Sequence, residues 1–230
     1  MRSRDSLSRI NDCKITANST GRCMGVALAG QGNDLSIQNS TITAEKYHPV
    51  RAMGVDTTMN IAGSTISGYC AISTYVGQVD LTVTNSTLNG RNTNDIYDYG
   101  VIAYEVGSWG NITVTDCVIN SVNNGVGTGK LHGLNLVSSN TTLKTTGTDV
   151  LIDVPYGNDA YGVYANPAGL VIDVSGNYWG ENLANLDLVV VEHLGRSALS
   201  THLGVTSYSF YLDRAHTKLA IWENGRIVRI

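Results

Sequence analysis

The sequence predicts an all-β chain that coils into a parallel β-helix of about six to seven rungs, a rung being one circuit of the coil. Three observations support this fold. Short segments that alternate apolar and polar residues recur along the chain, two columns of aliphatic residues keep a constant separation, and no hairpin turn separates one repeat from the next. A C-terminal β-hairpin is predicted to cap the coil.

Two aliphatic columns define the repeat. The first column consists of Ile10, Ile37, Ile61, Val83, Val114 and Val174. The second column lies five residues later and consists of Ile15, Ile42, Ile66, Leu88, Ile119 and Trp179. Successive rungs are about 22 to 31 residues apart, the period of solenoid repeats. A further rung, "LNLVSSNTTL" from Leu134, fits with one extra residue.

A polar pair such as Asn39-Ser40 or Gly63-Ser64 lies between the two columns. Gly and Asn adopt left-handed backbone conformations at low cost, so each pair predicts a corner of the coil. A second alternating segment follows in each repeat: "MGVAL" at Met24, "MGVDT" at Met53, "CAIST" at Cys70, "YGVIAY" at Tyr99, "NGVGT" at Asn124 and "YGVYA" at Tyr161. The period of two and the many β-branched residues indicate half-buried strands.

Consecutive repeats that share one register, without a hairpin between them, must lie parallel to one another. Each inward aliphatic residue then stacks on its equivalent in the next rung. The alternative, a β-sandwich of Thr-rich strands, requires even strand spacing and hairpin turns. The irregular insertions and the paired columns favour the β-helix.

Residues 186–230 are predicted to form the cap, and residues 1–185 the β-helix. In "LAIWENGRIVRI" the pair Asn224-Gly225 is a strong hairpin signal between two apolar stretches. "SYSFYLD" from Ser207 can add a third strand. The competing interpretation is a small independent β domain. No comparable cap precedes the first rung, so we expect the natural protein to continue upstream.

The composition narrows the classes of partner. Charged residues make up 15% of the chain and the net charge is −4, which argues against a nucleic-acid partner. No apolar run is long enough for a membrane-spanning helix, and the N-terminus has no signal-peptide core. The surface rich in Thr, Asn and Gly is typical of exported bacterial proteins. We therefore expect an extracellular or cell-surface fragment of a larger exported protein.

The four cysteines are predicted to be free thiols packed as small apolar residues. Cys13 and Cys117 share one corner position four rungs apart, about 19 Å by strand spacing. A disulfide requires Cα atoms within about 7 Å. Cys23 and Cys70 align two rungs apart, so that only a Cys13–Cys23 pair stays possible. No CxxC motif is present, and a cysteine metal site is not expected.

Two insertions, residues 43–52 and 89–100, leave the coil at the same corner and are predicted to lie side by side. They supply Tyr47, His48, Arg51, Arg91, Asp95, Tyr97, Asp98 and Tyr99. Aromatic faces interleaved with carboxylates and arginines suit a sugar-binding surface. The competing interpretation is that these are solvated loops whose aromatic rings cover the coil. We call this set of eight residues the loop patch.

No catalytic residue or cofactor is predicted. Asp56 and Glu105 are expected on one column about 10 Å apart, too wide even for the acid and base of an inverting hydrolase. The histidines of the tail, His193, His202 and His216, have spacings that match no metal-ligand geometry, so no metal site is expected. The Asn-x-Ser/Thr triplets, such as "NST" at Asn39, are interpreted as corner chemistry.

The sequence Gly176-Asn177-Tyr178-Trp179-Gly180 resembles the last-rung motif of right-handed parallel β-helix proteins of the pectate-lyase-like superfamily, especially the repeats of large bacterial surface proteins. The resemblance covers residues 9–185. This fold carries lyases, hydrolases, adhesins and tailspikes.

Two functions follow from it. The first is a non-catalytic surface module, adhesin-like or a stalk, that presents loops to a glycan or a host surface protein. The alternative is a polysaccharide lyase or glycoside hydrolase with substrate in a groove, which three converging carboxylates would favour. The oligomeric state is not predicted.

Overall fold

The computed structural model describes residues 6–91, 100–122, 131–154, 160–166, 168–181, 183–192, 205–223 and 225–230. These residues form an all-β solenoid of about 6 turns, as the sequence predicted. Three sheets run along the coil, and their strands pair in parallel from rung to rung. The observed hairpin pairs are confined to the C-terminal end of the second sheet. The parallel pairing excludes the β-sandwich alternative.

The bounds of the strands follow the three sheets. The first sheet contains β1 (Ser6–Asn11), β4 (Asn33–Gln38), β7 (Thr57–Ala62), β10 (Gly77–Thr84), β13 (Ser108–Thr115), β16 (Thr141–Thr146) and β19 (Val171–Asp173). The second contains β2 (Lys14–Ala17), β5 (Thr41–Ala44), β8 (Thr65–Gly68), β11 (Thr87–Arg91), β14 (Val118–Val122), β17 (Asp149–Ile152), β20 (Asn177–Tyr178), β22 (Ser207–Tyr211), β23 (Leu219–Glu223) and β24 (Arg226–Arg229). The third contains β3 (Val26–Gln31), β6 (Val50–Val55), β9 (Ile72–Thr74), β12 (Gly100–Tyr104), β15 (Leu131–Leu136), β18 (Ala160–Ala165) and β21 (Val190–Glu192).

Both predicted columns are observed, one in the first sheet and one in the second. Ile37 pairs with Ile61, and the register continues to Val83. In the second sheet Ile42 pairs with Ile66, which pairs with Leu88. These side chains are buried, because each inward residue is covered by its equivalents in the rungs above and below.

The prediction that "LNLVSSNTTL" from Leu134 supplies both column positions of a further rung is wrong. Leu134 lies in β15 of the third sheet, and the first-sheet strand of that rung is β16, where Thr145 pairs with Val114. Val150 then takes the second-column position opposite Ile119. A threonine in place of the expected aliphatic residue concealed the true register.

The third strand of each rung also departs from the predicted alignment. Val26 pairs with Val50, and Val50 pairs with Ile72, so "MGVDT" at Met53 completes β6 rather than beginning a strand. Gly54 lies opposite Gly30 at the end of the pair, where an added Cβ would meet the Gly30 carbonyl. The "NGVGT" segment lies outside the described residues, and the described strand of its rung begins at Leu131.

The corners have the left-handed backbone that the polar pairs predicted. Positive φ angles occur at Asp12 (53°), Asn39 (47°), Gly63 (57°), Asn85 (47°), Asp116 (53°), Gly147 (60°) and Gly176 (72°). These residues occupy one position of the repeat. The short polar side chains of Asn and Asp tolerate this conformation, which explains why they alternate with glycine there.

The residue that follows each left-handed corner residue takes part in a ladder of hydrogen bonds from rung to rung, which we call the corner ladder. The Ser40 N–H donates to Ser64 Oγ at 3.1 Å, and the Ser64 N–H donates to Ser86 Oγ at 3.1 Å. The ladder continues from the Cys117 N–H to Thr148 Oγ1 at 3.4 Å. The Ser64 hydroxyl itself donates to the Ala62 carbonyl at 2.8 Å. Each corner thereby satisfies a backbone donor that a bare turn would leave unpaired.

The four cysteines are free, as predicted. Cys70 and Cys117 are buried, whereas Cys13 is exposed and Cys23 is half-buried, so packing as a small apolar residue holds only for the first two. Cys117 takes a hydroxyl position in the corner ladder and donates from Sγ to the Thr115 carbonyl at 3.1 Å. Burial raises the pKa of this thiol to about 11.

The hairpin predicted at Asn224-Gly225 is present, since β23 and β24 pair antiparallel across it. β22 continues the second sheet by pairing in parallel with β20, and then pairs antiparallel with β23. A 3-10 helix, Leu183–Leu188, precedes β21. Tyr208 and Trp222 stack with ring centroids 6.0 Å apart and cover the end of the core. Within the described part of the chain, no helix is both long enough and apolar enough to span a membrane.

Candidate functional site

Three residues of the loop patch are buried rather than presented to solvent. Tyr47 is 8% exposed, His48 0% and Arg51 7%. Arg51 is the second residue of β6 and points away from the core, as its neighbour Val50 points inward. Its guanidinium carbon lies 5.1 Å from the centroid of the Tyr47 ring and 5.4 Å from that of Tyr75. The cation is therefore enclosed between two aromatic faces.

The same guanidinium reaches an acid two rungs away. Arg51 Nη2 lies 3.3 Å from Glu105 Oε1, and the Ser73 hydroxyl donates to the same oxygen at 2.7 Å. Arg51 Nη1 also donates to the Tyr47 hydroxyl. Ser73 belongs to the intervening rung, so the network joins three consecutive rungs of the third sheet. It cross-links the coil.

The remaining members of the loop patch divide into two groups. Arg91 is exposed and donates from Nη2 to the Glu45 carbonyl at 3.1 Å. Asp95, Tyr97, Asp98 and Tyr99 lie outside the described residues. The loop patch as a sugar-binding surface therefore stays a prediction, and its described members are Tyr47, His48, Arg51 and Arg91.

The two acids of the enzyme alternative have separate surroundings. Glu105 belongs to the Arg51 network, whereas Asp56 has a φ of 56° and accepts a hydrogen bond from Gln31 Nε2 at 3.2 Å. Among the residues that the structure describes, no group of three or more His, Cys, Asp and Glu side chains could hold a metal ion.

A groove of about 520 Å³ opens on the outer side of the second sheet, near its C-terminal end. We call it the cap groove. The described residues that line it are Asn120, Ser121, Val122, Leu151, Ile152, Asp153, Val154, Tyr178, Gly180, Glu181 and Arg214. Most belong to the ends of β14 and β17 and to the corner after β20. Arg214 comes from the segment between β22 and β23 and forms the wall nearest the cap.

A row of polar side chains approaches the groove along the second sheet. Asn89 Nδ2 donates to Ser67 Oγ at 2.9 Å, and Asn120 Nδ2 donates to Asn89 Oδ1 at 2.8 Å. These residues face outward because each directly follows an inward member of the second column, such as Leu88. The row uses one N–H of the Asn120 amide, which leaves the amide oxygen and the second N–H as groups that a ligand can contact.

Tyr178 and Glu181 line the groove on the side of Arg214. The Tyr178 hydroxyl donates to Glu181 Oε1 at 2.6 Å, and the positive φ of Gly180, 72°, turns the chain between them. Burial, followed by the hydrogen bond and charge of Glu181, raises the pKa of Tyr178 to about 12. The phenol therefore stays neutral, and the proton in this hydrogen bond stays on the tyrosine oxygen.

The cap segment is tied to the coil through Asp149. Arg214 Nε lies 2.9 Å from Asp149 Oδ2, and His216 Nε2 lies 2.9 Å from Oδ1 of the same carboxylate. The His216 ring stacks on Tyr211 with centroids 4.5 Å apart. The turn is held by Asp213, which accepts from the Thr217 N–H at 2.8 Å, and hydrogen bonds from Thr217 lower the pKa of Asp213.

The cap groove was not predicted from the sequence, although one signal for it is present. Ser67, Asn89 and Asn120 each follow a second-column residue directly, which marks a polar outward row. Glu181 and Arg214 carry no such periodic mark, since they enter from a corner and from the cap.

No protein-family model, no curated protein and no solved structure matches this chain. The parallel solenoid is consistent with a β-helix fold, and its resemblance to a particular superfamily rests on the sequence motif.

Proposed function

We propose that this chain is a non-catalytic surface module, adhesin-like or a stalk segment, that binds carbohydrate. The observation that carries the proposal is the cap groove, whose volume of about 520 Å³ lies within the 300–1,000 Å³ typical of small-ligand sites. A groove of this size can hold a few sugar rings.

The chemistry of the lining suits a sugar. Leu151, Val122 and Val154 supply apolar surface that can cover the hydrophobic face of a pyranose ring. The Asn120 amide oxygen, the Tyr178 hydroxyl and the Glu181 carboxylate supply acceptors for sugar hydroxyl groups. Such a combination of apolar walls with a few fixed polar groups is characteristic of ligand sites.

The scaffold favours binding without rearrangement. The groove is built on β14, β17 and β20, which pair in register within one sheet, and Arg214 is fixed by Asp149. Groups that are already positioned lose little conformational entropy when a ligand binds.

The proposal includes a cellular location and a superfamily for this chain. The low proportion of charged residues and the surface rich in Thr, Asn and Gly support an extracellular or cell-surface role in a bacterium. The Gly176–Gly180 motif supports membership of the pectate-lyase-like superfamily. A glycan or a host surface protein is then the partner, and the second insertion, residues 89–100 with the exposed Arg91, would supply a further contact surface.

A glycan array tests the proposal. The intact chain is expected to bind a defined set of glycans, and Leu151→Arg, which fills the groove with a long charged side chain, is expected to weaken that binding at least about tenfold. The matched control is Val171→Arg, an apolar-to-arginine change on the exposed outer face of the first sheet. The proposal is wrong if the intact chain binds no glycan, or if Leu151→Arg binds as well as Val171→Arg while circular dichroism shows both folded.

A further inference from the structure

We infer that copies of this chain associate with one another, the basic edge strand of the cap of one copy docking on an apolar strip along the coil of the next. The partner is therefore a second copy of this chain. Among the described residues, neither surface includes one that lines the cap groove. The inference thus goes beyond the proposed function and does not depend on it.

The apolar strip lies on the turns that lead from the third sheet to the first sheet in three consecutive rungs. Its members are Val55 (39% exposed), Tyr75 (51%), Val76 (37%), Val106 (77%) and Trp109 (44%). Exposed apolar side chains are ordinary when they are scattered singly, whereas a contiguous group of them marks an interaction surface.

The members form one surface because successive turns pack directly on one another. Gly77 lies so close to the preceding rung that an added Cβ would be 2.3 Å from Val55 Cγ1. The Gly77 N–H donates to the Gly107 carbonyl of the next rung at 2.8 Å. An added Cβ on Gly107 would lie 3.9 Å from Val76 Cγ1. The strip is therefore continuous along the coil axis.

The cap presents its own apolar surface on β24. This strand is the last of the second sheet, and among the described strands it pairs with β23 alone. Ile227 is 41% exposed, Val228 47% and Ile230 77%, and Arg226 and Arg229 are exposed beside them. Arginines on an edge strand oppose edge-to-edge pairing with other strands. Contact through the exposed side chains is then the mode of docking that stays open to β24.

The two surfaces belong to parts of the chain with opposite net charge. Residues 205–230 contain four Lys and Arg against two Asp and Glu, so the net charge of −4 for the whole chain leaves −6 for residues 1–204. Beside the strip, Gln78 pairs in register with Trp109. The Asp80 carboxylate accepts hydrogen bonds from the neutral amides of Gln78 and Asn111, which leave its negative charge in place.

These charges select the contact between unlike surfaces. The basic cap of one copy is attracted to the acidic coil of another, whereas a strip-to-strip or cap-to-cap contact brings like charges together. A contact between two different surfaces is heterologous, so each copy in a pair keeps one free surface for a further copy.

The association should be weak. The strip has five apolar side chains, whereas a standard protein interface uses about 20–30 residues on each side. We expect a Kd of about 10–100 µM for one contact. Such a contact becomes populated where copies are crowded, as they would be on a cell surface.

The test is analytical ultracentrifugation of the chain from about 5 to 500 µM, a range that brackets the expected Kd. We expect the mean mass to rise with concentration. Trp109→Gln removes the largest ring from the strip, and Val228→Asp places a carboxylate on β24. Each change should weaken self-association at least about tenfold. The matched control is Val171→Gln, at a 64% exposed valine of the first sheet outside the strip, which should associate as the unaltered chain does.

Mixing the two variants distinguishes a cap-to-strip contact from a contact between like surfaces. Trp109→Gln keeps an intact cap strand, and Val228→Asp keeps an intact strip. An equimolar mixture is therefore expected to form a 1:1 pair with about the affinity of the unaltered contact. The pair should not grow further, because the surfaces left free on it are both altered.

The inference is overturned if the unaltered chain keeps the mass of one copy up to about 500 µM, or if either variant alone associates as strongly as the unaltered chain. A mixture that does not pair overturns it as well. Affinity that does not fall when NaCl is raised from about 20 to 500 mM contradicts the attraction between cap and coil. Circular dichroism checks that each variant folds, and Tyr75→Ser and Arg229→Glu replace a variant that does not.

Discussion

Arg214 Nε and Asp149 Oδ2 lie 2.9 Å apart, although 65 residues separate them in the chain. The contact joins the segment between β22 and β23 to a rung of the coil that precedes β20. It therefore bridges the rung that carries Tyr178 and Glu181, and it fixes one wall of the cap groove.

Replacing Asp149 by Asn should loosen this wall. The change removes the charge that pairs with Arg214 and His216, and because Arg214 is 61% exposed we expect a loss of only about 1 kcal/mol in unfolding free energy. Glycan affinity should fall in parallel. Urea denaturation and the glycan array measure the two effects, and Glu223→Gln, on an exposed cap strand, is the control. Unchanged affinity would show that the wall does not depend on Asp149.

The Arg51–Glu105 network should matter for stability and not for binding in the cap groove. Its side chains are 9% and 13% exposed, and removing one partner of a buried ion pair costs about 3–5 kcal/mol. Arg51→Met and Glu105→Gln should each lower the free energy of unfolding by about 3 kcal/mol.

The control for this pair is Glu223→Gln on the exposed cap strand, which should cost less than about 0.5 kcal/mol. A double-mutant cycle should show strong coupling between Arg51 and Glu105. Additive effects of the two changes would contradict the network.

The corner ladder predicts how strongly the loss of a corner hydroxyl group lowers the stability of the fold. Ser64→Ala removes the acceptor of the Ser40 N–H, which is buried, and should cost about 1–3 kcal/mol. Cys117→Ser should be nearly neutral, because the serine hydroxyl can replace the thiol that accepts the Ser86 N–H. Thermal unfolding measures both. A larger loss for Cys117→Ser than for Ser64→Ala would contradict a common ladder.

Thiol reactivity should follow burial and pKa. Cys13 is exposed and should react rapidly with iodoacetamide, whereas Cys70 and Cys117 should react only after unfolding. Because the folded pKa of Cys117 is about 11 against an ordinary value of 9.0, its contribution to stability is complete below pH 9 and is lost as the pH rises toward 11. Peptide mass mapping follows the labelling, and Cys117→Ser should reduce the loss of stability over this pH range.

The loop patch has its own test. The glycan array, repeated with Tyr97→Ala and Tyr99→Ala, should show a weaker signal if the segment 89–100 contacts a glycan, because aromatic stacking contributes strongly to sugar binding. Val76→Ala, a change at an exposed apolar residue outside the insertions, is the control. Equal signals from all three variants would remove the loop patch from the binding surface.

The sequence alone predicted the parallel solenoid, both aliphatic columns, the left-handed corners, the terminal hairpin and the free cysteines. These features are encoded locally. An inward position alternates with period two, a corner needs Gly, Asn or Asp, and Asn-Gly makes a tight hairpin turn. Residues such as Ile42 and Asn39 carry that information in themselves and their immediate neighbours, whatever the rest of the chain does.

Only the tertiary structure decided the register of the third strand, the rung of Thr145 and the surroundings of Arg51. Insertions of different length precede each third strand, so its alignment depends on stacking between rungs rather than on spacing. Arg51 meets Glu105 across 54 residues, and the cap groove forms where Arg214 folds back beside Tyr178. Contacts over such distances follow from how many residues each rung contains, and no local pattern in the chain specifies them.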